Sequence, residues 1–183
     1  MRFPDVRLRA VATTAAVILI GGVSFAWLGD ATPPADPRAV HAEKKRAEEV
    51  KARFDQGVVM LHAKQYDHAL TAFHRVLELE PAIPEAHVNT GYALLGLKRY
   101  DAARDFFESA TELRPGQANA YWGLAVALEA LGDKPGAIGA MRTFVHLSKP
   151  DDPYVRRAQA ALWEWETAVA EEREKIAKAP AKK

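Results

Sequence analysis

The chain repeats itself every 34 residues. KRYDAARDFFESATELRP (Lys98 to Pro115) echoes KQYDHALTAFHRVLELEP (Lys64 to Pro81), and Gly57/Gly91, Tyr66/Tyr100, Phe73/Phe107 and Pro81/Pro115 are identities at the same offset. Three series reach a third copy: Ala69, Ala103, Ala137; Leu79, Leu113, Leu147; and Met60, Leu94, Leu128. A period of this length marks a stack of supersecondary units, each burying its apolar face against the next.

Within a unit the apolar spacing is helical. Phe54, Gly57, Val58 and Leu61 share one face of a first helix, and Ala69, Leu70, Phe73, Val76 and Leu77 one face of a second. The few residues between them force the two helices antiparallel. Glycine inside a helix costs about 1 kcal/mol against alanine, so Gly57 and Gly91 need a reason. Close approach supplies one, with Gly57 expected to face Ala69 and Gly91 to face Ala103. Asp67 and Asp101 are expected to cap their second helices, and Pro81 and Pro115 to end them.

These residues carry a family resemblance. Gly57, Tyr66, Ala69, Phe73 and Pro81, with Val76 in place of a second alanine, follow the pattern of the tetratricopeptide repeat (TPR). Gly91, Tyr100, Ala103, Phe107, Ala110 and Pro115 follow it more fully. The third copy keeps Ala125, Ala137 and Leu147 but has Lys134-Pro135 at the corner, Met141 for the aromatic, and Pro150 one residue late. The resemblance implies an all-α solenoid with repeats at 50–83, 84–117 and 118–151, and a capping helix over 152–177. Ala158, Ala161, Leu162, Trp165 and Val169 form the cap's inward side, Glu164, Glu166, Glu171, Glu172 and Arg173 its outward side, and 178–183 is a disordered tail.

Ahead of the repeats, Ala10 to Leu28 is nineteen residues without a charge, preceded by Arg2, Arg7 and Arg9 and followed by Asp30. A helix of that length approaches the roughly 30 Å hydrocarbon core, and the basic flank at 1–9 stays cytoplasmic. A cleaved signal sequence, with Ser24-Phe25-Ala26 near the cut, is the alternative; both readings export the remainder, to the periplasm of a bacterium. The proline-rich stretch 29–37 reads as a linker. Residues 38–49 read as a charged helical extension, with Lys44/Glu48, Lys45/Glu49 and Glu49/Arg53 four apart.

Chemistry is not signalled. The chain has no cysteine, so disulfides, thiolate catalysis and cysteine-ligated zinc are excluded. GDKPG lacks the spacing of a phosphate loop, and the six histidines show no metal-binding spacing, so no cofactor, metal or catalytic residue is expected. With 25 basic against 24 acidic residues there is no field to drive nucleic-acid binding.

What remains is a surface. In the TPR family first helices line the concave side, which here implies a mostly apolar protein-binding groove of Phe54, Val58, Leu61, Val88, Tyr92, Leu95, Trp122, Val126 and Glu129. Members that bind a chaperone's C-terminal carboxylate carry Lys and Asn where this chain has Phe54 and Val58, so an apolar peptide or amphipathic helix is the implied guest. The expected function is a non-enzymatic, membrane-tethered adaptor facing the periplasm and serving assembly of an envelope complex. The alternatives are a self-associating scaffold, hence a homo-oligomer, and a factor that holds apocytochromes during c-type cytochrome maturation.

Overall fold

The computed structural model describes residues 36–178, and these form seven helices without a strand: α1 (Pro37–His62), α2 (Tyr66–Leu79), α3 (Pro84–Gly96), α4 (Tyr100–Leu113), α5 (Ala118–Ala130), α6 (Lys134–Leu147) and α7 (Pro153–Lys178). The apolar stretch 10–28, its basic flank, most of the 29–37 linker and residues 179–183 of the tail lie outside the described residues. Among those described, no helix is long and apolar enough to cross a membrane.

α1 packs on α2, α3 on α4 and α5 on α6, and each second helix meets the first helix of the next pair. α1 also touches α3, and α3 touches α5, whereas α2, α4 and α6 stay apart from one another. A stack whose first helices converge while its second helices diverge must curve with the first helices inside. α7 packs on α6, but its backbone does not close on α5 as α5 does on α3.

Each hairpin is closed by the same device. Lys64, Lys98 and Gly132, at one register in the three copies, have φ of 57°, 60° and 84°. The chain then folds back so that the N–H of Gln65, Arg99 and Asp133 donates to the carbonyl of Met60, Leu94 and Leu128, each at 2.9 Å. The residue between donates to Leu61, Leu95 or Glu129, completing a Schellman motif that satisfies the last helical carbonyls. Only glycine takes this conformation without a steric cost, so Lys64 and Lys98 are mildly strained where Gly132 is not. At the other end Glu80 and Arg114, held extended by the prolines that follow them, terminate α2 and α4.

Gly57 and Gly91 serve close approach, and the atoms nearest to them are the ring carbons of phenylalanines. A Cβ on Gly57 would lie 2.5 Å from Phe73 Cε1, and one on Gly91 would lie 2.7 Å from Phe107 Cζ. Phe73 and Phe107 are fully buried, so each ring lies flat in a notch that only glycine leaves open. The third copy changes both partners together: Ala125 replaces the glycine and Met141 the phenylalanine, and both are buried. Rings also cross between repeats, since a Cβ on Gly123 would meet Phe107 at 2.2 Å and one on Gly96 would meet Tyr66 at 2.4 Å.

Two expectations need correcting. Asp67 and Asp101 sit in the first turns of α2 and α4, but the N-cap residues are Gln65 and Arg99, without side-chain capping bonds. The capped corner is the divergent third one, where the Asp133 carboxylate accepts from Gly136 N at 3.0 Å and Pro135 sits in the first turn. The charged stretch 38–49 is helical, and α1 runs unbroken through it into the first repeat. Glu49 pairs with neither Lys45 nor Arg53; it accepts from Arg75 of α2 at 2.7 Å.

Candidate functional site

The inner helices position the site, but the predicted groove is not a continuous open strip. Val88 is 1% exposed and belongs to the core, so it offers nothing to a ligand. Position matters here: Val88 belongs to the middle repeat, covered from both sides. Phe54 packs edge-on against Phe73, with ring centroids 5.8 Å apart, and Val58, Leu61 and Leu95 are half-buried against the same core. Val126 is half-buried and Glu129 exposed.

Tyr92 and Trp122 are brought together, in a cavity of about 470 Å³ lined also by Ala118, Asn119, Phe144, Asp152 and Tyr154. It opens where α7 stands off α5. Trp122 meets the Phe144 ring edge-on at 5.1 Å and the Tyr154 ring at 5.6 Å, so its indole bridges α5 to α6 and α7. Tyr92 packs edge-on against Phe107 at 5.1 Å, and its hydroxyl donates to the Asn119 carbonyl at 2.8 Å. Burial, and secondarily the neighbouring Tyr154, raises the Tyr92 phenol far above its usual range, so it stays a neutral donor. Asp152 accepts from Tyr154 N at 2.8 Å and holds the first turn of α7 in place.

Phe144, Asp152 and Tyr154 escaped the sequence reading because they lie outside the first helices of the three repeats. The available signal was Tyr154, an aromatic opening the last helical segment. A larger recess of about 570 Å³ beside α1 and α2 has Arg53, His68, His74 and Arg75 on its wall, with Met60 and Ala72 among them. That surface is suited to solvent, as the outer face of a terminal repeat must be. Among the described residues no three His, Asp or Glu side chains are grouped to hold a metal ion.

Three helical hairpins in series, curved with their first helices inward, define an α-solenoid repeat protein. Two family models, both described as tetratricopeptide repeat, match residues 63–118 and 94–162, so over that span the chain carries tetratricopeptide repeats. No curated protein matches it in sequence. Among solved structures it is similar to the TPR domain of Arabidopsis OM64, at 20% identity over 65% of this chain and 98% of that one, with a TM-score of 0.61. The first TPR of Spaghetti (RPAP3) bound to an HSP90 peptide matches at 20% identity over 67% and 94%, TM-score 0.62. A type III secretion complex from Aeromonas hydrophila matches at 18% over 73% and 98%, TM-score 0.65. At these identities the likeness speaks for the fold.

Proposed function

We propose that the chain is a non-enzymatic adaptor that holds a segment of a partner protein in the aromatic cavity between α3, α5, α6 and α7. One observation carries the reading: an aromatic-walled space of about 470 Å³, within the usual range of ligand sites, opens on the inner side of a solenoid. Aromatic side chains in such places are the usual anchors of protein interfaces. The Spaghetti neighbour, bound to its HSP90 peptide, is a precedent for this fold receiving a peptide guest. Three repeats suit a micromolar affinity, about −8 kcal/mol.

The same reading makes residues 10–28 a membrane tether and puts the repeats on the periplasmic side, to serve assembly of an envelope complex. Its support is the nineteen-residue uncharged run behind three arginines.

Two measurements test these parts. A photoreactive amino acid at position 154 should cross-link one partner polypeptide in the native cell, and the same group at Glu108 on α4 should not. Equal or absent cross-linking at both positions rejects the cavity as the binding site. Because the chain lacks cysteine, Val40→Cys gives a single reporter, and Val40 is 50% exposed. It should react with a membrane-impermeant maleimide added from the periplasmic side; protection until the membrane is dissolved would reverse the topology.

A further inference from the structure

We infer that the cavity selects a partner segment that inserts a cationic side chain, lysine or arginine, against its aromatic walls and toward Asp152. The inference rests on the adaptor reading and narrows it. Four rings line the cavity, those of Tyr92, Trp122, Phe144 and Tyr154, and Asp152 is the one carboxylate among its lining residues, which include no lysine or arginine. The Tyr92 phenol stays neutral, which leaves Asp152 as the one acidic group in the lining that carries charge.

Both kinds of wall favour a cation. The face of an aromatic ring attracts positive charge through its quadrupole, most strongly where water is excluded. Tyr154 already behaves this way, with the Arg157 guanidinium carbon 5.6 Å from its ring centroid, although Arg157 does not line the cavity. The Oδ1 atom of Asp152 is engaged by the Tyr154 N–H, and among the described residues no cationic side chain pairs with this carboxylate. An acidic guest would meet a like charge in a partly desolvated site. A purely apolar guest would strip water from the carboxylate without replacing it.

An adjoining recess shares Ala118, Asp152 and Tyr154 with the cavity and adds Ser148, Lys149 and Asp151, the last two of opposite charge. Ser148 Oγ is buried there without a hydrogen-bond partner among the described residues, as is Oε1 of Gln117, the residue before Ala118.

The test uses the full chain in a mild non-ionic detergent, panned against a displayed library of random twelve-residue peptides. Selected peptides should carry Lys or Arg flanked by apolar residues. By fluorescence anisotropy, replacing that Lys by norleucine should weaken binding about tenfold. Asp152→Asn keeps an oxygen for the Tyr154 N–H; it should weaken the parent peptide about tenfold and leave the norleucine peptide unchanged. Tyr154→Leu, at a half-exposed position, should weaken both. Selection of acidic peptides, or of apolar ones without a cation, whose binding Tyr154→Leu still weakens, overturns the cation preference and leaves the adaptor reading standing. Recovery of no peptide, or binding indifferent to both substitutions, removes both.

Discussion

Exchanging the first repeat's glycine and phenylalanine for the third repeat's pair isolates the packing term that separates them. Gly57→Ala gains about 1 kcal/mol of helix propensity. It also sets a methyl 2.5 Å from Cε1 and 2.8 Å from Cδ1 and Cζ of Phe73, a ring with no exposed surface into which to retreat. Overpacking of this kind costs about 1–3 kcal/mol, so the net loss is about 1 kcal/mol. Phe73→Met alone removes the ring and leaves slack beside the glycine, costing about 2 kcal/mol. Together the methyl enters the space that the ring vacates, as Ala125 and Met141 coexist in the third copy. The double variant should then lie within about 1 kcal/mol of the parent, a coupling of about 2 kcal/mol. Urea unfolding of the full chain in detergent, followed by far-UV circular dichroism, gives all four corners of the cycle. Additivity within about 0.5 kcal/mol would refute the argument, and so would a Gly57→Ala variant more stable than the parent.

Other expectations follow from single features. Lys98→Gly should stabilise by about 1 kcal/mol by relieving the left-handed backbone, and Gly132→Ala, where a Cβ meets nothing within 4 Å, should lose a similar amount; thermal melts read both. Asp133→Ala should cost about 1 kcal/mol through the lost cap, while Asp101→Ala, which caps nothing, should change the same melt much less. The Arg75 hydrogen bond lowers the pKa of Glu49 below 4.5. That contribution is present above about pH 4.5 and is lost as pH falls through the folded value, so Arg75→Gln should flatten the acid limb of a stability-against-pH curve.

The architecture was legible because one period governs it. Helix starts, corners and stops recur at fixed offsets, and local sequence dictates each of them. Which side chain fills the notch at Gly57 was not legible in that way. Ala69 and Phe73 lie one turn apart on the same face of α2, and only the slide between antiparallel helices, fixed by the Schellman turn at Lys64, decides which comes nearest. The binding strip failed at Val88 for a related reason: equal register does not mean equal exposure when one copy is interior and another terminal. The cavity was beyond the repeat pattern altogether. It depends on α7 starting near where a fourth repeat would begin and then standing off α5, a departure that periodicity cannot register.

The paired change at Ala125 and Met141 also grades the stiffness of the solenoid. In the first two hairpins a flat ring seated on glycine acts as a hard stop, since any slide of one helix over the other drives rigid atoms together. In the third, a methionine with three rotatable bonds lies between the helices and can change rotamer as they shift. Compliance is therefore concentrated at the end that carries the aromatic cavity. A guest can be met there by small adjustments of α5 against α6, while the first two repeats hold their shape and fix the direction from which it is met.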